Sequence, residues 1–279
     1  MEDDPDITYE KEGTAAILYF NRPERMNAAR IKTHRDLIEA LERAEADDTV
    51  RAIILTGNGR AFCAGTDIAD GFNLPAGGDV ATGEGVPPDI GGQTVLRLFK
   101  LKKPVIAAVN GAAVGFGASL SIACDIRIAS ENAKWGFVFT RRGIALESCS
   151  SWFLPRIVGI STALDWTLSG RMVSCAEALE ARLVKTVTAP KALMDAALGA
   201  AEALVSETSP ISVAMNRQLM WRMLGAPHPA YAHRLESRAL SARFTHPDSK
   251  EGVAAFREKR KPEFDKRLDG LEFMQSWWE

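Results

Sequence analysis

Four cysteines and four histidines in 279 residues leave little of the chemistry those side chains carry. Cys63, Cys124, Cys149 and Cys175 stand far apart with no C-x-x-C pair, so neither a zinc knuckle nor a disulfide framework is expected, and a reducing compartment is. His34, His228, His233 and His246 occur in no glycine-rich or strand-end context, which argues against a histidine-based mechanism. There is no G-x-x-x-x-G-K-[S/T] phosphate loop, no G-x-S-x-G elbow and no H-E-x-x-H. No apolar run reaches the roughly 18 residues that a membrane span needs. An excess charge of one sign is also missing: 34 Lys+Arg against 36 Asp+Glu gives a net charge of −2. The molecule offers no broad positive field, so neither nucleic acid nor an anionic membrane is expected as a partner. The opening MEDDPD is too acidic for a signal or transit peptide, and the closing SWWE is not an SKL-type address, so a cytoplasmic protein is expected.

What is present is ordinary globular composition, with 46% hydrophobic and 25% charged residues, enough for a sizeable core. Residues Ile7 to Phe20 alternate around Gly13 as a hairpin, and Ile31 to Ala46 carry apolar residues at helical spacing. Arg51 to Thr56 and Pro104 to Asn110 read as buried strands, followed by a helix from about Gly117 to Ala123 and a strand from Asp125 to Ala129. A mostly parallel sheet with crossover helices follows, making the fold class α/β. Asp67 to Gly92 is rich in Gly, Pro and Asp and reads as a long mobile loop beside a binding site, or as a surface insertion. From Ser148 onward the pattern is helical, with one strand near Leu183 to Val187.

Two glycine-rich turns follow strands: Gly57-Asn-Gly-Arg-Ala-Phe-Cys-Ala-Gly65-Thr66-Asp67, and Gly111-Ala-Ala-Val-Gly115-Phe116-Gly117. The second lacks the third glycine of a dinucleotide fingerprint, which would fall at Leu120. A glycine-rich turn at a strand end or helix N-terminus exposes backbone N–H groups, and such groups stabilise an oxyanion. Two such turns could converge on one oxygen.

The segments NRPERMNA (Asn21 to Ala28), GRAFCAGTD (Gly59 to Asp67), KKPVIAAVNGAAVGFGASLSIACDIRIAS (Lys102 to Ser130), WFLPRIVG (Trp152 to Gly159) and EGVAAFREKRKP (Glu251 to Pro262) resemble the crotonase superfamily, the enoyl-CoA hydratase/isomerase group. The resemblance implies a ClpP/crotonase-like spiral of β-β-α units over residues 1–205 and a helical trimerisation region over 206–279. It implies a homotrimer or a homohexamer of two trimers, with an acyl-CoA thioester as substrate and no permanently bound cofactor or metal. By motif, the thioester carbonyl would lie between the backbone N–H groups of Thr66 and Phe116. Coenzyme A contacts would fall on Arg25, Met26, Ala28, Ala64, Asp67 and Ile68, while Phe256 and Lys259 match positions that reach a neighbouring subunit's coenzyme A.

The hydratases of this group carry two glutamates, at positions that are Ser119 and Phe139 here. Neither side chain can act as a carboxylate does. One carboxylate remains in the segment, Glu147, in RRGIALESCSSWFLP, which is similar to the G-x-x-x-E-G-C-S-S-x-x-x-P pattern of peroxisomal-type Δ3,Δ2-enoyl-CoA isomerases. Glu147 is therefore the expected catalytic base, with a helix-capping role as the other reading of that residue. Asp67, and Asp70 or Glu84 in the long loop, come next. Desolvation by Trp135, Phe137, Phe139 and Trp152 is expected to raise the Glu147 pKa. The implied reaction is migration of an enoyl-CoA double bond. Hydration, another crotonase-type reaction such as hydrolysis or decarboxylation, or silent acyl-CoA binding remain as alternatives. Arg141-Arg142 reads as a subunit contact, and Phe273, Trp277 and Trp278 as a docking tail.

Overall fold

The computed structural model describes residues 4–69, 78–79, 82–265, 267–268, 271 and 274–275. The expectations for Asp70 and for Phe273, Trp277 and Trp278 lie outside the described residues.

The hairpin forms as the alternation predicts: β1 (Ile7–Glu12) and β2 (Ala15–Phe20) pair antiparallel across the Gly13-Thr14 turn. Helix α1 (Ile31–Ala46) buries Leu37 and Leu41 of the residues at helical spacing, together with Ala40 and Ala44, against the sheet, while Ile31 at its start is exposed. Next, β3 (Ala52–Gly57) is buried along its whole length. Its side chains alternate, Ile53 and Leu55 toward one core cluster and Ala52 and Ile54 toward another. A parallel strand covered on both faces needs such a continuous apolar run.

From here one unit recurs. Each long strand of the main sheet is followed by a short strand in a second sheet and then by a helix: β3, β4 (Ala61–Cys63) and α2 (Ile90–Lys100); β5 (Val105–Val109), β6 (Ala112–Val114) and α3 (Phe116–Ala123); β7 (Ile126–Ser130), β8 (Lys134–Gly136) and α4 (Ser150–Val158). The chain continues through α5 (Ile160–Ser169), β9 (Met172–Ser174), α6 (Cys175–Glu180), β10 (Thr186–Thr188) and α7 (Leu193–Val205). The last helices described are α8 (Pro210–Met223), α9 (Pro229–Phe244) and α10 (Pro247–Glu258). The six-stranded sheet has the order β1-β2-β3-β5-β7-β10 and the four-stranded sheet β4-β6-β8-β9; only β1/β2 and β8/β9 pair antiparallel. This is the expected α/β spiral of β-β-α units with a helical C-terminal part.

The resemblance implied the second strand of each unit, but the residue patterns placed none of the strands of the second sheet, nor α2 and α10. The strands β4, β6, β8 and β9 have three residues each, too few for alternation to show. Helix α2 begins inside the segment expected to be loop, and its start was missed because its first turn contains Gly91 and Gly92. Its start is nevertheless capped: the Asp89 carboxylate accepts the Gly92 N–H.

The C-terminal helices have a small core of their own, including Ile211, Met215, Leu219 and Leu271, and are tied to the sheet domain by one buried cation. Arg217 on α8 donates to the carbonyl oxygens of Leu98, Phe99 and Leu101 and to Asp125 at 2.8 Å. It thereby satisfies the Phe99 and Leu101 carbonyls at the end of α2 and adds a second donor to that of Leu98, which already accepts the Leu101 N–H.

Candidate active site

The second sheet positions the site. Parallel pairing of β4 with β6 sets their C-terminal turns side by side. The turns meet at their glycines: a Cβ on Gly65 would lie 2.9 Å from the Val114 carbonyl oxygen and 3.7 Å from the Gly115 Cα. Both glycines have positive φ, +100° and +51°, so a side chain is excluded by conformation at both positions and by crowding at Gly65. The next residue in each turn is Thr66 or Phe116, and among the described residues neither backbone N–H has an acceptor in the protein. Phe116 opens α3, whose first amides have no intrahelical partner and lie at the positive end of the helix dipole. Two free amide donors on adjoining turns can hold one negatively charged oxygen.

Three residues into α3 from Phe116, Ser119 Oγ donates to Glu147 Oε1 at 3.1 Å. It also lies 2.9 Å from Ser150 Oγ. The other carboxylate oxygen, Oε2, accepts from the Ser148 hydroxyl. On its remaining side the carboxylate packs against the first turn of α2, where a Cβ on Gly91 would collide with it and with Ser148 Oγ. Burial pushes the Glu147 carboxyl above the usual range; the Ser148 and Ser119 bonds oppose that shift and the nearby Asp89 charge adds to it. The chain is bent sharply to place this side chain, with Ser148 and Cys149 both left-handed at φ +52° and +57°. Two such non-glycine residues in succession carry strain of the order of 1–3 kcal/mol each. Ser148 stands where the isomerase pattern has glycine, which adopts this region freely.

Glu147 does not cap a helix. Helix α4 begins at Ser150 with Cys149 at its N-cap and no side-chain cap bond. The expected aromatic lining needs correction too: Trp135 and Phe137 are fully buried, the first donating to Ser121 Oγ at 3.1 Å and the second stacked on Trp166, and Phe139 is 4% exposed within the same core. They belong to the buried core cluster, whereas Trp152, on α4, lines a cleft.

That cleft has a volume of about 700 Å³. It starts two residues past Glu147, at Cys149, and runs between α2 and α4 along Leu96, Phe99, Trp152 and Phe153. Helices α8 and α9 form its opposite wall.

The coenzyme A candidates of the two loops are brought together. The loops are zipped by Ala64 N–H to Met26 O at 3.1 Å, Ala29 N–H to Gly65 O at 2.7 Å and Asp67 N–H to Ala29 O at 2.8 Å. Asn27, itself at positive φ, locks the first loop by donating to the carbonyls of Asn58 and Ala61. Arg25 and Ile68 are exposed beside half-buried Met26, Ala28 and Ala64. Asp67 is held at 3.0 Å by Arg22. Burial alone would push its carboxyl up, but the Ala69 amide and the Arg22 and Arg25 charges outweigh it and hold the group below the usual range. An ion-paired carboxylate of low basicity is a poor proton acceptor. Glu84 is exposed. Phe256, 85% exposed on α10, and Lys259 at the end of that helix make no described bond or ring contact with these loops. Arg141 donates to the Ser169 carbonyl at the surface.

Two residues escaped the sequence reading. The Asp89 charge acts on both Glu147 and His34. The buried His34 ring lies 4.4 Å from that of Phe116 and pairs with Thr94 Oγ1 at 2.9 Å; burial lowers its pKa to about 4, so the ring is neutral. The contact joins α1 to α3 across the fold and leaves no local signal. Asp89 was legible as a helix cap ahead of Ile90, had the two glycines not suggested a loop.

Among the described residues no cluster suited to a metal ion occurs, and no helix is long and apolar enough to cross a membrane. Against known families, the enoyl-CoA hydratase/isomerase family matches residues 10–267. The chain is 36% identical over 250 residues to enoyl-CoA hydratase ACTT3 of Alternaria alternata, covering 89% of this chain and 82% of that protein. It is 35% identical over 262 residues to 1,2-epoxyphenylacetyl-CoA isomerase of Escherichia coli (strain K12), covering 88% and 93%. A crystal structure of a probable enoyl-CoA hydratase/isomerase from Mycobacterium abscessus superposes with a TM-score of 0.82 at 30% identity, covering 94% and 99%.

Proposed function

The chain belongs to the enoyl-CoA hydratase/isomerase family, and within it we propose an isomerase that shifts the double bond of an enoyl-CoA from C3 to C2 with Glu147 as its only base. The observation that carries this reading is how the two nearby carboxylates among the described residues are used: Asp89 caps α2 by accepting the Gly92 N–H, and Glu147 is held by the Ser119 and Ser148 hydroxyls. Glu147 is held beside the N-terminus of α3 by a hydroxyl, Ser119, at a position where the hydratase pattern has a glutamate. A 1,3-proton shift needs one group that removes a proton from C2 and returns it at C4, and one carboxylate can do both.

In this mechanism the Thr66 and Phe116 amides bind the thioester oxygen, and they bind it more strongly as it becomes an enolate. Loss of one such donor typically costs about 3 kcal/mol of barrier. Glu147 takes the C2 proton. Burial raises its pKa, which makes its ionised form a better base than that of an ordinary glutamate. The Ser119 and Ser148 hydroxyls fix the carboxylate between the two carbons. The zipped loops at 22–29 and 64–68 take the coenzyme A moiety, through Arg25, Met26, Ala28, Ala64, Asp67 and Ile68, and the acyl chain follows the cleft along α2 and α4. These steps call for no metal or redox group.

A second reading, water addition to a 2-enoyl-CoA, is favoured by the names of several relatives, among them the Alternaria protein and a short-chain-enoyl-CoA hydratase of Clostridium acetobutylicum. The two readings separate when purified protein is given a 3-enoyl-CoA and, separately, a 2-enoyl-CoA. Isomerisation faster than hydration supports the first; the reverse order supports the second.

The exposed side chains of Ile160, Leu164 and Leu168 form a stripe at i, i+4 and i+8 on α5. Together with exposed Phe256 it suits burial between subunits, in keeping with a trimer or a hexamer of two trimers, in which Phe256 and Lys259 would reach a neighbour's coenzyme A. Sedimentation as a stable monomer would overturn this part of the reading.

A further inference from the structure

Helix α2 opens with two consecutive glycines, poor helix formers, and at each of them a carboxylate occupies the place of a side chain. A Cβ on Gly91 would lie 2.5 Å from Glu147 Oε2. One on Gly92 would collide with the carboxylate of Asp89, the N-cap residue, which accepts the Gly92 N–H at 2.5 Å. The Cβ position on Gly91 is also 3.3 Å from Asp89 Oδ1, so the cap and the base flank one glycine. Glu147 is enclosed by its hydroxyl partners, whereas Asp89 is exposed.

One turn further on, α2 reaches the other half of the site. Thr94 Oγ1 donates to the Ile90 carbonyl at 2.9 Å and lies 2.9 Å from His34 Nδ1, and the His34 ring packs on Phe116. The start of α2 thus touches the base through Gly91 and the Phe116 turn through Thr94 and His34. The Asp89 cap fixes where that start lies.

The N-terminus of a helix carries the equivalent of about half a positive charge. Beside Glu147 it would stabilise the ionised carboxylate and weaken it as a base. The Asp89 charge at the same helix end acts on Glu147 in the opposite direction. Other ionisable groups on the surrounding elements are neutral, paired or placed at far helix ends. Cys63 on β4 and Cys149 at the α4 N-cap have thiols pushed up by burial, and His34 on α1 is neutral. Arg22, before α1, is paired with Asp67, and Arg141, before Glu147, donates to the Ser169 carbonyl. Helix α3 has no ionisable side chain apart from hydroxyls, and Arg97, Lys100 and Arg156 stand in the last turns of α2 and α4.

We infer that Asp89 is a positioning residue for the base: its carboxylate fixes the start of α2 against Glu147 and offsets the positive end of that helix beside it. The inference rests on the reading of Glu147 as base and deepens it.

The test follows deuterium entry at C2 of a saturated acyl-CoA across pH, with wild type, Glu147→Gln, Asp89→Asn, Asp89→Ser and Asp89→Ala. Asparagine and serine cap a helix about as well as aspartate but carry no charge, and alanine does neither. In Asp89→Asn and Asp89→Ser the acid limb of kcat/KM is expected to move down by about half a pH unit, the size of one charge at a helix end. Their kcat should fall several-fold with KM and thermal midpoint near wild type. Asp89→Ala should show the same displaced limb, a further loss of kcat and a lower thermal midpoint. A limb that stays in place or moves up in the two capping variants, while Glu147→Gln abolishes exchange, would overturn the inference and leave the base assignment standing. Loss of folding in both capping variants would overturn it as well, since each retains the cap. Exchange that survives in Glu147→Gln, or is absent from the wild type, would overturn both readings.

Discussion

Ser119 Oγ donates a 3.1 Å hydrogen bond to Glu147 Oε1, linking the helix that opens at Phe116 to the carboxylate we propose as the base. The hydroxyl stabilises the ionised form, so it holds the glutamate pKa down against the burial that pushes it up. A base must be deprotonated to work. Activity should therefore fall on the acid side with an apparent pKa above that of an ordinary glutamate, and Ser119→Ala should move this limb to higher pH. A pH profile of kcat/KM on wild type and variant checks both. An unmoved or downward-shifted limb would contradict the assignment.

Ser119→Glu asks the complementary question. If the missing second carboxylate is what separates this site from a two-glutamate hydratase, restoring it should raise the ratio of hydration to isomerisation. Product analysis by chromatography after incubation with a 2-enoyl-CoA and a 3-enoyl-CoA gives the ratio directly. An unchanged ratio would mean that the second carboxylate is not the deciding difference.

Gly91 provides a variant whose local and functional effects oppose each other. Alanine is the better helix former by roughly 0.5–1 kcal/mol, but its methyl group would meet the Glu147 carboxylate and Ser148 Oγ. Gly91→Ala should lower kcat by about 10²-fold, the scale of a 1 Å misplacement, with little loss of thermal stability. A large drop in melting temperature with normal kcat per folded molecule would show that the packing against Glu147 has no part in catalysis.

Arg217 ties α8 to the sheet domain through the last carbonyls of α2 and through Asp125. Both side chains of the pair are largely buried, 5% and 16% exposed. Removing one partner of a buried pair typically costs about 3–5 kcal/mol, so Arg217→Met should lower the urea midpoint by an amount of that size. A change within 1 kcal/mol of wild type, on the scale of about 0–1 kcal/mol for an exposed pair, would contradict it.

His34 makes stability depend on pH. Its folded pKa of about 4 lies below the ordinary 6.5, so the unfolded chain takes up a proton first as pH falls. The contribution is intact above 6.5 and is lost progressively between 6.5 and about 4, by roughly 3 kcal/mol in all. Urea unfolding at pH 7, 5 and 4 should show this decline, and His34→Asn should flatten it. An equally steep decline in the variant would place the sensitivity elsewhere.

The main sheet was legible in the sequence because it is buried on both faces: RAIILT and PVIAAVN are runs that fit little besides a central strand. Helix α1 was legible from its apolar spacing, and its bounds are those observed. The second sheet was not, because three-residue strands such as β4 and β6 leave no periodic trace, yet these strands bring Gly65 and Gly115 together. Residues within one local motif, such as Glu147 and the two glycine turns, could be named from sequence. Ser119 was also named, as the residue at a glutamate position, but its bond to Glu147 was not; Asp89 and His34 come from other elements, and only the packing of α1, α2 and α3 around the site reveals them. Nearness along the chain suggested Trp135, Phe137 and Phe139 as a lining for Glu147, but all three are packed in the buried core cluster and of the four aromatics named only Trp152 lines the cleft described.

The most direct test of the account is to follow deuterium entry at C2 of a saturated acyl-CoA, and conversion of a 3-enoyl-CoA, in deuterated water with wild type and Glu147→Gln. The account predicts both reactions in the wild type and a loss of at least about 10²-fold in the variant, the scale of general-base catalysis, with acyl-CoA binding retained. Exchange or double-bond migration that survives the substitution would contradict the assignment of Glu147 as base, and binding without any exchange in the wild type would contradict catalysis itself.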